Sequence, residues 1–313
     1  MSCAEITGTA SLPFLSSLQT RSLDGLQDGR IAYTLLLRDD GTVLTDATLW
    51  RLGKNRYWLF AGRRSDFEHI SRCARQFDVA VIEIAQQRAV MAIQGAASRR
   101  IVERCFAPQQ LAALPYYGFQ RVDFAGDECW LARIGYSGET GYELVIADAA
   151  APALWEALLA AGVDCGLREC GFDATDSLRI EAGHILFARE LRLPVTPSAL
   201  GLARLVDFYR PHFRGERALR TQRWQPPQCR LVGLLPAADC AGEPDFRGKI
   251  KPGTAIMTSV CWSPLFERPV GLGFVANDDA RPGATVTLGS GIRARVARLP
   301  FYDPARQLPR RAQ

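Results

Sequence analysis

The stretch FYRPHFRGERALRTQRWQPPQC, residues 208–229, separates two parts of the chain that differ in character. It is polar and basic, and Pro226-Pro227 interrupts any regular element there. Before it, strand and helix patterns alternate along the chain. After it, short runs of β-forming residues are divided by Gly and Pro turns and have no helical period. We therefore predict an α+β body over residues 1–215, built of two α/β subdomains, and a small β-barrel domain over residues 225–313.

Composition narrows the classes of partner. The chain has 313 residues, 48% hydrophobic and 23% charged, which is typical of a globular protein of about two domains. The net charge is +5, and the arginines that dominate its basic residues are scattered rather than gathered in one stripe. We therefore predict no nucleic-acid partner and favour a small anionic ligand, which arginine binds well. No apolar run approaches the roughly 20 residues that span a bilayer, so no membrane partner is predicted.

The amino-terminal residues, the cysteines and the histidines argue against a secreted protein, a disulfide framework and a metal site. The first residues lack a basic flank followed by an apolar core, so no secretory signal is expected and a cytoplasmic location is predicted. The nine cysteines include no CxxC pair, which is typical of reduced thiols rather than a disulfide framework. Three histidines, His69, His184 and His212, lie far apart in sequence, so we predict no metal site.

The first segment that points to chemistry is GTVLTDATLWR, residues 41–51. It is typical of a strand in which Asp46 shares a face with Leu44 and Thr48. A carboxylate bordered by apolar side chains loses hydration, which raises its pKa and suits it to proton transfer. The alternative is an edge-strand aspartate exposed to solvent.

The second segment is IGYSGETGYEL, residues 134–144. Its three glycines indicate tight turns or a close approach of another group to the backbone. Such a loop can bring Glu139 and neighbouring amides to a ligand. The alternative is a glycine-rich hairpin in which Glu139 and Glu143 are both solvated.

The third segment is DATDSLRIEAG, residues 173–183. It is typical of a helix in which Asp173 caps the amino end and Asp176 complements the helix dipole. Arg179 and Glu181 fall on different helical faces, so at least one of them is expected to point away from bulk solvent. The alternative is that both charges are solvated.

Together with five other motifs, these segments resemble the glycine-cleavage T-protein (aminomethyltransferase) family. Each fragment is short, but all eight occur in the family's order and cover most of the chain. They are GTVLTDATLWR (41–51), MAIQGAAS (91–98), GYSGETGYE (135–143), ATDSLRIEAG (174–183), Thr196-Pro197, FRGERAL (213–219), SPLFERPVGLGFV (263–275) and RLPFY (298–302).

The resemblance implies a tetrahydrofolate site in a cloverleaf of small α/β domains, followed by a β-barrel. Asp46 matches the family's main catalytic carboxylate, expected beside N5 of the reduced pterin. Glu139 matches the glutamate expected to hold the amide and amino edge of the pterin, and Glu143 is a second candidate for folate binding.

The resemblance also implies further folate-binding residues and partners. Tyr33 matches a tyrosine that lines the pocket, and Tyr136 belongs to the same loop as Glu139. Arg179 matches the arginine of the LRLEAG motif, whose guanidinium is expected to meet the glutamate carboxylate of folate. The implied one-carbon donor is an aminomethyl group on a lipoyl carrier protein or a small amine-derived molecule.

Several positions depart from the family pattern. Gly62 stands where the family has a pocket asparagine, Thr175 replaces the arginine of ARD, and Arg189 replaces the histidine of YGHEL. The residues Thr20-Arg21-Ser22 occupy the TND position, and the amino terminus is shorter than is usual in the family. A partner chain is one way to supply the missing segment.

Three functional hypotheses follow. The first is a folate-dependent one-carbon transferase. The second is a non-catalytic folate-binding protein like the family's iron–sulfur assembly paralogues; against it, no cysteine lies between Cys170 and Cys229, where their cysteine motif falls. The third is the folate-binding subunit of a heteromeric amine-demethylating oxidase, for which a flavoprotein partner is expected.

Overall fold

The computed structural model describes residues 2–106, 114–237, 246 and 250–311. The described strands form a five-stranded sheet, a four-stranded sheet and a closed five-stranded barrel. The barrel strands all follow the polar stretch 208–229, and the helices that pack on the sheets all precede it. The predicted α+β body followed by a carboxyl-terminal β-barrel is therefore confirmed.

The first sheet has the strand order β2-β3-β4-β1-β5, and its neighbouring strands are antiparallel. Two helices cover one of its faces through a core that includes Phe14, Leu15 and Ile70. Its elements are β1 (Ser2–Thr7), α1 (Ser11–Leu18), β2 (Arg30–Leu37), β3 (Val43–Gly53), β4 (Arg56–Ala61), α2 (Arg64–Ala74) and β5 (Ala80–Glu83).

The second sheet is also antiparallel and has the order β6-β9-β8-β7. Its outer face packs on two helices through a core that includes Leu144, Ile146 and Leu154. Its elements are β6 (Arg88–Gln94), α3 (Ser98–Cys105), β7 (Phe119–Phe124), β8 (Asp127–Ala132), β9 (Gly141–Ala147) and α4 (Ala151–Gly162).

The barrel is joined to the sheets by two helices and a long irregular segment. It closes in the order β10-β12-β11-β13-β14. Among the described residues, no helix is both long enough and apolar enough to cross a lipid bilayer. The elements are α5 (Phe172–Glu181), α6 (Glu216–Gln222), β10 (Cys229–Pro236), β11 (Thr254–Ser263), β12 (Arg268–Ala276), β13 (Thr285–Leu288) and β14 (Arg293–Ala297).

The inner faces of the two sheets pack against each other. Trp50 and Phe60 of the first sheet share a core with Ala132 and Val145 of the second. Aromatic side chains dominate the contact, and the Trp50 and Phe119 rings lie 4.9 Å apart. Because side chains alternate along a strand, the other residues on these inner faces also point into the space between the sheets.

A third core closes one end of this space. It combines Leu35 of β2 and Phe274 of β12 with apolar residues of the segment that follows α5, among them Ile185, Leu191 and Val195. The space between the sheets is thus bordered by three separately packed regions. The candidate site lies where they meet.

Candidate functional site

Asp46 lies on the inner face of β3. Its neighbours Thr45 and Ala47 are buried on the opposite, helix-covered face, whereas Leu44 and Asp46 are only partly buried. The alternation therefore agrees with the predicted sharing of a face by Leu44 and Asp46. From the adjacent strand β2, the Tyr33 hydroxyl donates a hydrogen bond of 2.9 Å to Asp46 Oδ2.

The surroundings of Asp46 favour its protonated form. Burial raises the pKa of Asp46 to about 6; the Tyr33 hydrogen bond opposes this rise, and the charges of Asp66 and Glu190 add to it. Burial and the neighbouring Asp46 carboxyl raise the pKa of Tyr33 well above its usual value. Tyr33 thus remains a hydroxyl donor, while Asp46 changes charge close to neutral pH.

Glu143 is a second carboxyl on the inner faces. It lies on β9, paired in register with Ala92 and Ala132, and its neighbours Tyr142 and Leu144 point into the opposite core. Burial alone raises the pKa of Glu143 to about 7. Its carboxyl has no recorded hydrogen-bond or ion-pair partner in the part of the chain that the structure describes. A partly buried carboxyl with unused acceptor capacity is typical of a ligand-binding group.

Tyr117 connects the two carboxyls electrostatically. Burial raises its pKa, with smaller contributions that include Tyr116 and Glu143. Tyr117 in turn contributes to the raised pKa of Tyr33. Glu143, Tyr117, Tyr33 and Asp46 therefore surround one region, to which the two sheets and the turn before β7 contribute.

The glycine-rich loop is shaped by Gln94. A Cβ atom at Gly135 would lie 1.9 Å from the Gln94 side chain, and one at Gly141 would lie 2.3 Å from it. The Gln94 amide donates to the carbonyls of Ile134 and Tyr142, both at 3.3 Å. These two glycines are thus required by a close approach, as predicted, but the approaching group is a side chain of the protein.

Glu139 points to a different place from Glu143. The Tyr302 hydroxyl donates to Glu139 Oε1 at 3.2 Å, which links the loop to the carboxyl-terminal segment. Gly138, with φ +79°, lets the loop pass so close to Ala182 that a Cβ would lie 2.6 Å from the Ala182 Cβ. Of the two glutamates, Glu143 is the one whose charge acts on the tyrosine beside Tyr33.

Tyr136 lies at the border of the site. Its hydroxyl donates to the carbonyl of Ile185, and its ring stacks on His184 with centroids 5.6 Å apart. Burial raises the pKa of Tyr136, and Asp46 adds to the rise, which places the two groups in the same neighbourhood. Tyr33 and Asp46 are thus in direct contact, Tyr136 lies within electrostatic range of both, and Glu143 is linked to them through Tyr117.

Arg179 belongs to a different environment. Its side chain is 0% exposed. Its guanidinium donates to Glu190 Oε2 at 3.1 Å, to Asp176 Oδ1 at 2.7 Å and to Ser259 Oγ of the barrel at 2.7 Å. In this structure the guanidinium is buried and its charge is satisfied within the protein, so the contact of Arg179 with a folate carboxylate stays a prediction.

Sequence reasoning missed Tyr117, His184 and Arg306. Burial lowers the pKa of His184 to about 3, so this imidazole is neutral, and Arg306 Nη1 lies 3.4 Å from its Nδ1. Arg306 adds a positive charge close to Tyr117 and Tyr33. The Pro-Tyr-Tyr-Gly turn at 115–118 is the only signal that could have pointed to Tyr117. Among the described residues, no group of three or more His, Cys, Asp or Glu side chains could hold a metal ion.

Comparison with known proteins agrees with this architecture. Residues 1–210 match the family model described as GCVT N-terminal domain, and residues 230–303 match the glycine cleavage T-protein C-terminal barrel domain. The aminomethyltransferase of Halothermothrix orenii is 30% identical over 305 residues, covering 95% of this chain and 84% of that protein. That of Saccharopolyspora erythraea is 33% identical over 284 residues, covering 88% and 77%.

A solved structure extends the match to three dimensions. The glycine cleavage system aminomethyltransferase T of Bartonella henselae superposes with a TM-score of 0.83 at 26% identity, covering 96% of this chain and 84% of that one. Both domains and their order along the chain are therefore shared with this family of transferases. The chain belongs to the glycine cleavage T-protein family of aminomethyltransferases.

Proposed function

We propose that this protein is a tetrahydrofolate-dependent aminomethyltransferase in which Asp46 carries the proton transfers and Glu143 binds the pterin. The observation that carries the proposal is the pair of partly buried carboxyls on facing sheets. The pKa of Asp46 is raised to about 6 and that of Glu143 to about 7. Asp46 has one hydroxyl donor, Tyr33, and no described residue hydrogen-bonds the Glu143 carboxyl.

The residues present fit a reduced folate. The pterin edge offers N–H and NH₂ donors, and a carboxylate with free acceptor sites is their natural complement. Glu143 provides such sites on the inner face of β9, whereas Glu139 lies in the loop beside Tyr302, whose hydroxyl is 3.2 Å from both Glu139 Oε1 and the Ser137 carbonyl. We therefore assign the pterin edge to Glu143 rather than to Glu139. Tyr33, Tyr117 and Tyr136 supply the aromatic surfaces around it.

The chain's own groups account for the proton chemistry. Tetrahydrofolate, when bound, supplies the nucleophilic nitrogen N5 that takes up the one-carbon unit. Asp46 Oδ is the acceptor that we assign to the proton that N5 would lose on bonding to the donor carbon. As the bond between that carbon and the donor breaks, Asp46 would return the proton to the departing sulfur or amine of the donor. A carboxyl whose pKa is near 6 both accepts and returns a proton efficiently at neutral pH. The Tyr33 hydroxyl holds Asp46 Oδ2 in place and leaves the other oxygen for the reaction.

The carbon donor that we propose is an aminomethyl group carried on the lipoyl arm of a carrier protein, in keeping with the family to which the chain belongs. A small methylamine-derived donor is the second candidate. Incubation with each donor, followed by detection of the one-carbon unit on folate, separates the two. The small-amine donor must first be oxidised to an iminium, so that reaction calls for a flavoprotein partner, whereas transfer from the lipoyl arm needs no oxidant.

Titration with 5-formyltetrahydrofolate tests the site directly. We expect saturable one-to-one binding by calorimetry, accompanied by a change in the fluorescence of Trp50, which is buried between the sheets and lies on the same strand as Asp46. The Trp50→Phe variant controls for signals from the other tryptophans.

The two glutamates provide the matched pair for this titration. Glu143→Gln is expected to weaken binding about tenfold or more, because a charge-assisted hydrogen bond contributes roughly 1.5–3 kcal/mol. Glu139→Gln is expected to change the affinity by less than about threefold. The opposite ranking would move the pterin to Glu139, and no binding at millimolar ligand would contradict the proposed function.

A further inference from the structure

Gly62, at the end of β4, is covered by an aromatic ring. A Cβ atom at this position would lie 2.3 Å from two ring atoms of Phe187, a distance that real Cβ atoms do not adopt. The ring therefore occupies the volume that any side chain at position 62 would take. Phe187 comes from the segment after α5, more than 120 residues away in sequence.

The strand register places this ring beside Asp46. Ala47 of β3 pairs with Ala61 of β4, and both side chains point into the helix-covered core. The last pair is Ala47 with Ala61, and continuing the antiparallel register by one residue beyond β4 puts Gly62 opposite Asp46, on the other face of the sheet. Directly opposed residues lie about 5 Å apart, so from this register we infer that the Phe187 ring lies beside the Asp46 side chain.

Arg63 holds Phe187 in this position. Its Nη2 donates to the Phe187 carbonyl at 2.6 Å, and its guanidinium carbon lies 5.3 Å from the ring centroid. Arg63 is itself fixed at the start of α2, where its backbone N–H donates to Asp66 Oδ2 at 2.8 Å. On another side, Phe187 and Tyr33 pack against the same apolar core.

We propose that Phe187, seated on Gly62 and held by Arg63, is a positioning residue that shields the Asp46 carboxyl from water. This inference deepens the proposed function, since it assigns a cause to the protonation behaviour of the group that would transfer the proton. Phe187 itself touches no reacting atom in this assignment and acts only through Asp46.

The charges around Asp46 determine how strongly the exclusion of water affects its protonation. The charged or titratable groups that act on it are Tyr33 from β2, Tyr136 from the glycine-rich loop, Asp66 from α2 and Glu190 from the segment after α5. None of these four is a cation. The cations close to these groups have other partners, because Arg63 donates to the Phe187 carbonyl and Arg179 donates to Glu190, while Arg306 acts on Tyr33. Hydration therefore stabilises the ionised Asp46, and an apolar ring that excludes water keeps the carboxyl protonated to higher pH.

The experiment is a titration of the Asp46 carboxyl carbon by ¹³C NMR in the folate-free protein, with the signal assigned by its loss in Asp46→Asn. In Phe187→Ala, where water can reach the carboxyl, we expect the midpoint to fall by about one pH unit. Phe187→Leu, which keeps an apolar side chain, should retain most of the original midpoint. Phe172→Ala is the matched control, because Phe172 is 91% exposed.

If Phe187→Ala fails to fold, the Gly62→Ala variant tests the same prediction. Gly62→Ala must displace the ring, so its Asp46 midpoint should fall in the same direction. An unchanged midpoint in a folded Phe187→Ala or Gly62→Ala protein overturns the inference. Because this titration uses no folate, its outcome is independent of whether folate binds, and failure of folate binding would count against the proposed function alone.

Discussion

Two pairs of carboxyls withdrawn from solvent in this protein differ in their surroundings and in the hydrogen bonds that they accept. Glu190 is fully saturated: its Oε1 accepts from Ser259 at 2.5 Å and Thr258 at 2.7 Å, and its Oε2 accepts from Arg179 at 3.1 Å and the Leu186 amide at 2.7 Å. Glu181 accepts one hydrogen bond, from the hydroxyl of Ser263. Both tie the segment around α5 to strand β11 of the barrel.

Asp46 and Glu143 form the contrasting pair. One hydroxyl reaches Asp46, and no described residue hydrogen-bonds Glu143. Burial of a carboxyl therefore does not by itself identify a functional group, because Glu181 and Glu190 are more buried than the partly buried Asp46 and Glu143. Unused acceptor capacity separates Glu143 from Glu190 most clearly, since a structural carboxyl must be satisfied by the fold and a binding carboxyl by its ligand.

The largest effect that we expect comes from Asp46→Asn. Removal of the proton acceptor should reduce the transfer rate about 10²–10⁴-fold, the usual contribution of general acid–base catalysis. Folate affinity should stay within about tenfold, because Asn keeps the shape and still accepts from Tyr33. Single-turnover transfer and calorimetry on the same preparation measure both quantities. Loss of fold and binding together would instead place Asp46 with the structural pair.

Arg179→Met should show the reverse pattern. It leaves Glu190 buried without its cation, and breaking a buried ion pair in this way costs about 3–5 kcal/mol of unfolding free energy. Folate affinity of the folded protein should change by less than about threefold. Urea unfolding and calorimetry give the two numbers, with the exposed Arg217→Met as control. A strong loss of affinity at unchanged stability would restore Arg179 as a folate ligand.

A smaller effect concerns stability and pH. The pKa of Glu143 in the folded protein, about 7, lies above the ordinary 4.5, so the unfolded chain releases this proton first. Stability should then fall as pH rises from about 4.5 to 7. Glu143→Gln cannot ionise, so its gain in unfolding free energy over the parent protein should be near zero at pH 4.5 and reach about 1–2 kcal/mol at pH 8, allowing for partial exposure.

Glu190→Gln provides the contrasting measurement in the same unfolding series. It removes a saturated carboxylate and should destabilise the protein at pH 8. If Glu143→Gln were also destabilising at that pH, an unrecognised internal partner of Glu143 would have to exist, and the distinction between the two pairs would fail.

The sequence was sufficient for features that depend on neighbours along the chain. Alternation along residues 41–51 predicts the face that Asp46 shares with Leu44, and the glycine spacing predicts a close approach to the loop. The β-rich pattern after residue 229 predicts the barrel. Each of these follows from local geometry that a strand or a tight turn imposes.

Features that depend on packing between distant segments could not be predicted from the sequence. Gln94 lies about 40 residues before the glycines that it approaches, and Glu190 lies on a different element from Arg179. The difference between Glu139 and Glu143 depends on where the chain becomes a strand, because Glu143 lies on β9 and Glu139 lies in the loop before it. The local pattern does not show this, because the two glutamates differ by an even number of residues and a continuous strand would place them on one face.

The meeting of three separately cored regions around the site has a consequence for the lifetime of the protein. Each region has its own apolar core, and the two sheets share a further one, so partial opening is expected first where the third region meets the sheets. A ligand bound at such a joint favours the closed form by mass action, by about 2.7 kcal/mol when its concentration is a hundred times Kd. If folate is that ligand, its concentration would set the resistance of the protein to proteolysis. In a cell depleted of folate, the protein would then be degraded faster than its messenger RNA.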